Sequence, residues 1–214
     1  MSRTGILGGT FNPPHIGHLI CAQEAMGELA LDRVLVVPAR IPPHKRVEHE
    51  PGAQHRLELC RRAAAGNARL EVSELELRRE GPSYTVDTLQ ELRTHAPQDE
   101  LVLILGGDIA AGLPGWHMPE QVLSLATVAV AKRRGTSRGK VERALASLAG
   151  GERAEFFAMP RIGISSTMLR RRVQAGRSIR YLVTEPVREY IDAHGLYREE
   201  STTHQGEHDQ RITH

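Results

Sequence analysis

The stretch "GGTFNPPHIGHL", Gly8 to Leu19, sets two glycines, a threonine, two prolines and two histidines close together. It continues "TGILGG", an apolar run that reads as a first β-strand, and it leads into a helical pattern over Ile16 to Ala30. Leu19, Ile20, Met26 and Leu29 fall near one face of that helix. Gly8 and Gly9 allow the backbone to approach a ligand and to adopt positive φ. Exposed N–H groups in such a turn, with a helix N-terminus behind them, form an anion site. Pro13 and Pro14 stiffen the approach. His15 and His18, three apart, can face the same way at the helix start. Blander readings stay open: the histidines could brace a turn, or ligate a metal, although no third ligand sits at a convincing spacing.

Working outward, β-branched runs alternate with helical patterns. "RVLVVPA" reads as a second strand that Pro38 ends, followed by the polar loop "RIPPHKRVEHEPG". Gln54 to Ala65 is helical, "RLEVSELELRR" holds a short strand, and Val86 to Thr94 is a helix with Val86, Leu89 and Leu92 spaced for burial. "ELVLILGGD" is a continuous apolar run, the pattern of a strand covered on both faces. "TVAVAKR" and "AEFFAM" supply two more strands. Ser166 to Gln174 is a helix that Ser165 or Ser166 can cap. Pro186 to His194 is another, with Gly195 at its end. This βαβα order predicts an α/β fold: a parallel sheet, helices on both faces, right-handed crossovers. Ligands in such sheets bind beyond the carboxyl ends of the strands, near the switch in strand order. That rule selects Gly8 to His18, Pro38 to Lys45, Gly106 to Asp108 and Lys132 to Gly135.

The chain has 214 residues, with 40% hydrophobic and 25% charged, which is ordinary for a soluble globular protein. Residues 1–198 are read as one domain and 199–214, polar and aperiodic, as a disordered tail. The longest apolar runs are too short to span a bilayer, and no signal peptide is read at the N-terminus. Net charge is +2, too near neutral for a general nucleic-acid binder. The basic stretches "AKRRGTSRGK" and "LRRRVQAGRSIR" read as solvated helix ends and loops, or as surface for a phosphate-rich small ligand. Two cysteines, Cys21 and Cys60, each in an expected helix, argue against a disulfide scaffold and fit a reducing, cytoplasmic location.

"HIGH", His15 to His18, resembles the signature of the nucleotidyltransferase superfamily that includes class I aminoacyl-tRNA synthetases. The chain is short for a synthetase, and "GGTFNPPHIGHL" looks like the small adenylyl- and cytidylyltransferases of that superfamily. "PARIPPHK", "GPSYTVDTL", "LGGD", "PGW" and "ISSTMLRRR" resemble, in that order, the bacterial nicotinate-mononucleotide adenylyltransferase family, over Gly5 to Tyr197. The resemblance implies a Rossmann-like, doubly wound sheet of the nucleotidyltransferase type. It implies transfer of AMP from ATP to nicotinate mononucleotide, giving nicotinate adenine dinucleotide and pyrophosphate in NAD biosynthesis. Mg2+ is implied as a cofactor carried by the ATP phosphates, with no metal site on the protein. No nucleic-acid or membrane partner is implied, and a homo-oligomer is compatible with it.

Carried over residue by residue, the resemblance makes His15, His18, Lys45 and Arg170 catalytic. Gly8, Gly9, Thr10, Phe11, Gly106, Asp108, Arg133, Ser166 and Thr167 join His15, His18 and Arg170 around ATP. Thr10, His44, Lys45, Tyr84, Thr85 and Trp116 are assigned to nicotinate mononucleotide. Asp108 would bond a ribose hydroxyl, and Trp116 would stack on the pyridine ring. Four positions depart from the family pattern: Asn12 for aspartate, Gly107 for a larger residue, Arg134 for proline and His117 for a second aromatic ring. Rival expectations are an adenylyltransferase acting on phosphopantetheine, flavin mononucleotide or nicotinamide mononucleotide, a non-catalytic nucleotide sensor, and an RNA-binding protein.

Overall fold

The computed structural model describes residues 1–42, 49–132 and 137–198. The expected tail, together with His44, Lys45, Arg133 and Arg134, lies outside the described residues. Six strands, β1 (Arg3–Gly9), β2 (Arg33–Pro38), β3 (Leu70–Val72), β4 (Glu100–Gly106), β5 (Thr127–Lys132) and β6 (Glu155–Ala158), form one sheet. Its order is β3-β2-β1-β4-β5-β6, and every pairing is parallel. The connections therefore run outward in one direction from β1 and in the other from β4. The parting of the two halves lies between β1 and β4, where an open α/β sheet leaves a crevice.

Alternate residues of each central strand serve opposite faces, as the period of two requires. Leu7, Val34, Val36, Val102, Ile104, Ala129 and Ala131 pack on one face under α1 (Ile16–Glu28) and α2 (Ala53–Ala64). Ile6, Leu35, Val37, Leu101, Leu103, Leu105, Val128 and Val130 pack on the other. There they meet α4 (Thr85–His95), α6 (Pro119–Leu125) and α7 (Arg138–Ala146), which follow the short α3 (Leu75–Arg78) and α5 (Gly107–Ala111). Two-sided burial is why "ELVLILG" shows no alternation in sequence. A third cluster, with Leu59, Leu169, Val187, Ile191 and Tyr197, seats α8 (Ser166–Gln174) and α9 (Glu185–Ala193) against α2.

One expectation needs correction. The inward stripe of α1 is Cys21, Ala22, Ala25 and Met26, small residues that let the helix sit close to the sheet. Leu19 and Ile20 are only half-buried and face the side occupied by Arg62 and Pro186. The stretch "RGKVERALA", to which the sequence reading assigns no element, is the helix α7: its inward residues are only Val141 and Leu145, four apart, and charge conceals the period. Cys21 and Cys60 are both buried and unbridged. No helix among the described residues is long and apolar enough to cross a membrane.

Gly5 marks the tightest packing in β1. A Cβ there would lie 2.7 Å from Leu31 Cδ1, 2.9 Å from Val34 Cγ2 and 3.0 Å from Ile104 Cδ1. Gly5→Ala is expected to lower stability by about 1–3 kcal/mol through overpacking. Thermal melting checks it, and an unchanged midpoint would show that the three side chains can withdraw.

Candidate functional site

The site begins where β1 ends. Gly8 is exposed, Gly9 and Thr10 are half-buried, and the chain then dives so that Phe11 to His15 are buried. Phe11 takes φ +50°, and its ring lies over Gly9, where a Cβ would come within 3.1 Å of Cζ. The same ring meets His18 edge-on, with centroids 5.0 Å apart. His15 caps α1 in extended conformation, and the His15 and His18 rings stack at 3.7 Å. Gly17 makes the stack feasible, because a Cβ at that position would lie 3.0 Å from His15 Nδ1 and 3.1 Å from Cε1. The "HIGH" spacing is thus a packing solution: one imidazole folds over a glycine and onto the other.

His18 is oriented by the backbone. The His15 N–H donates to His18 Nδ1 at 3.1 Å, a capping-box bond at the third helical residue. An imidazole nitrogen that accepts carries no proton, so the proton of the neutral ring sits on Nε2. His18 therefore offers a neutral N–H donor from a fixed tautomer.

The C-terminal part of the chain clamps this turn. Ser165 caps α8 by accepting the Met168 N–H at 3.2 Å. Ser166 Oγ donates to the Pro13 carbonyl at 2.8 Å. Arg170, 8% exposed, donates from Nη1 to the Asn12 carbonyl at 3.0 Å and from Nη2 to Thr167 Oγ1 at 3.4 Å. Asn12 itself is buried and reaches the His49 carbonyl through Nδ2 at 3.4 Å. Ser166, Thr167 and Arg170 are brought to the histidine turn from more than 150 residues away.

On the β4 side, Gly106 ends the strand, and Asp108 lies exposed in the first turn of α5. Tyr84 precedes Thr85, the first residue of α4, and its ring sits 4.4 Å from that of His117. Trp116 and Tyr84 both pack against the second core cluster. His117, at one of the positions that depart from the family pattern, thus still puts a ring beside Tyr84. Thr85 opens a helix N-terminus, which gives the free N–H groups expected there.

Two buried ionic groups behind these walls were missed by sequence reasoning. Arg56, on the inward stripe of α2 with Leu59, Cys60 and Ala63, bonds to carbonyls at the ends of β1 and β2. An arginine in register with an apolar helical stripe was the available signal. Glu76, 7% exposed, accepts from Thr88 Oγ1 at 2.8 Å and from the Ser83 hydroxyl. Ser83 Oγ in turn accepts the Arg40 N–H at 2.9 Å and the Ile41 N–H at 3.4 Å. One hydroxyl thereby accepts twice from the β2 end and donates to Glu76, which joins the segment before Tyr84 to both. Nothing in the local sequence signals that convergence. Burial pushes the Glu76 carboxyl above the ordinary carboxylate range, against the hydroxyl donors and Arg79.

Three kinds of likeness bear on this arrangement. The model of the Cytidylyltransferase-like family matches residues 6–172. A probable nicotinate-nucleotide adenylyltransferase of Roseiflexus is 46% identical over 194 residues, 91% of this chain and 97% of that protein. Proteins of the same description from Thermus thermophilus and Geobacillus thermodenitrificans are 44% and 42% identical, each over 92% of this chain and over 100% and 87% of their own lengths. A Plasmodium falciparum nicotinic acid mononucleotide adenylyltransferase complexed with NaAD shares the fold at a TM-score of 0.76 with 18% identity, over 92% of this chain and 98% of that one.

The raised Glu76 value gives a pH test. The folded state holds its proton more tightly than the unfolded chain. Stability from this group is therefore full below the ordinary carboxylate range and is lost as pH rises through the folded-state value. Glu76→Gln, which cannot ionise, is expected to gain melting temperature relative to wild type as pH rises from below the ordinary carboxylate range through the raised folded-state value. A constant difference across that range would show that Glu76 titrates normally.

Proposed function

The chain belongs to the nicotinate-nucleotide adenylyltransferase family of the cytidylyltransferase-like nucleotidyltransferases, and from that we propose that it adenylylates nicotinate mononucleotide with ATP. The observation that supports this most directly is the stacked His15–His18 pair set into the turn at the parting of the sheet. A phosphate oxygen of nicotinate mononucleotide attacks the α-phosphorus of ATP. The bond from that phosphorus to the oxygen bridging to the β-phosphorus breaks, and pyrophosphate leaves with the electron pair. The products are nicotinate adenine dinucleotide and pyrophosphate, and no protein nucleophile is consumed.

Catalysis of this kind consists of positioning and of neutralising charge. Two like unit charges about 4 Å apart repel by roughly 4 kcal/mol at an effective dielectric of 20. In this reading the amides of Gly8 to Phe11 and the His18 Nε2–H face the triphosphate, with His15 stacked beside His18. The donors of the turn are N–H groups and imidazoles, suited to anionic oxygens rather than to a bare cation. Among the described residues, no cluster of three or more His, Cys, Asp or Glu is placed to hold a metal ion. That donor chemistry fits Mg2+ arriving as part of the substrate, on the ATP phosphates, where it would supply further charge neutralisation. Asp108 stands on the β4 side for a ribose hydroxyl, and the Tyr84–Thr85 segment with Trp116 forms the nicotinate wall. The family resemblance would add His44, Lys45 and Arg133, which lie outside the described residues, as basic groups for the phosphates. The two cysteines, buried and outside any disulfide, agree with a cytoplasmic enzyme.

The test is product formation from ATP and Mg2+ with nicotinate mononucleotide, nicotinamide mononucleotide and phosphopantetheine offered in parallel. Turnover with nicotinate mononucleotide above the others is expected. Preference for another acceptor would overturn the pocket assignment, and silence with all three would overturn the activity. His18→Ala is expected to cut kcat about 100- to 1000-fold, as loss of one preorganised donor does. Its stability cost is about 1 kcal/mol, the worth of a helix cap. A parallel collapse of the melting midpoint would make His18 structural. Gly17→Ala, which pushes on the His15 ring, should also lower kcat with a small change in melting. Trp116→Ala is expected to raise KM for nicotinate mononucleotide by about tenfold and to leave KM for ATP alone.

A further inference from the structure

Arg56 is the most deeply buried cation among the described residues, 1% exposed, and no step of the proposed transfer uses it. From the first turn of α2 its guanidinium enters between the ends of β1 and β2. Nη1 donates to the Thr10 carbonyl at 2.9 Å and to the Ala39 carbonyl at 2.7 Å. Nη2 donates to the Arg40 carbonyl at 3.3 Å, and Nε to Glu50 Oε1 at 2.7 Å. Glu50 Oε1 also accepts the Gly52 N–H at 3.1 Å, so the counter-ion is itself fixed at the N-cap of α2. The two strand ends are already neighbours, Gly9 beside Pro38 in the register and Ala39 N–H on the Gly9 carbonyl at 2.9 Å.

A buried cation survives only if its donors are taken and its charge is paired. Here three carbonyls and one carboxylate do both. The contact to Thr10 has a further effect. A trans peptide points its N–H opposite its C=O, so fixing the Thr10 carbonyl on Arg56 turns the Phe11 N–H away from α2. The same contact removes a carbonyl oxygen from the side of the turn offered to an anion.

We propose that Arg56, with Glu50 as its counter-ion, is a positioning residue that sets the Gly9–Phe11 turn against the end of β2 for phosphoryl transfer without touching either substrate. The proposal rests on the adenylyltransferase reading. Lysine cannot replace it: one ammonium at the end of a flexible stem cannot hold three carbonyls in the geometry of a planar fork.

The test compares kcat and KM of Arg56→Lys, Glu50→Gln and wild type for ATP and nicotinate mononucleotide. Assays run well below each melting midpoint. Ile191→Ala, a cavity variant in α9 that makes none of these hydrogen bonds, is the control for stability alone. Arg56→Lys should lose about 100-fold in kcat, the cost of a misplaced turn, with each KM within about threefold. Glu50→Gln, which keeps an acceptor for Nε and removes the counter-charge, should lose less but in the same sense. If Arg56→Lys does not fold, Glu50→Gln decides alone. Wild-type kcat in the folded variants, or losses that follow folded fraction as in Ile191→Ala, would overturn the positioning role. Wild-type protein silent with nicotinate mononucleotide would overturn the functional reading and this inference with it.

Discussion

A peptide shows a phosphate either its N–H or its carbonyl oxygen, and only the first attracts. The turn after β1 is organised around that constraint. The Thr10 carbonyl is taken by Arg56, the Asn12 carbonyl by Arg170 and the Pro13 carbonyl by Ser166. Two of the three donors are cationic, and all come from helices, α2 and α8, that pack together through one apolar cluster. The turn is therefore held from behind by its oxygens. Satisfying those carbonyls within the protein also removes the desolvation penalty they would carry in a buried loop.

The histidine pair is fixed by the same economy of contacts. Gly9 makes room for the Phe11 ring, Phe11 supports His18, and Gly17 makes room for His15. Gly9 and Gly17 each answer to a neighbouring ring, so the motif is a three-ring packing unit as well as a run of donors. The backbone bond from His15 N–H to His18 Nδ1 then chooses the tautomer. The chemistry asked of His18 follows from how its own helix starts.

Much of this was readable in the chain. The six strands, their parallel order and the crevice follow from alternating apolar runs and the reach of βαβ connections. His15 and His18 were readable because the contacts that define them are three residues apart. Arg56 and Glu76 were not, because their partners, Thr10, Ala39 and Arg40 or Ser83 and Thr88, meet them only after the sheet forms. Helix α7 was hidden for a different reason. Three arginines or lysines in its first six residues outweigh an inward face of two. Arg170 lies between these cases: its place at a helix start was legible, but not its grip on the Asn12 carbonyl.

The clamp from α8 also has a meaning in time. Ser166 and Arg170 lie 153 and 158 residues after the carbonyls that they hold. At about 5–20 residues per second, a ribosome needs roughly 8–30 s to reach them. Throughout that interval the nascent chain carries the glycine turn and both histidines without the donors that close it. A polypeptide released early would keep the signature motif and lack the clamp. The turn is thus completed only after more than 150 further residues have been added.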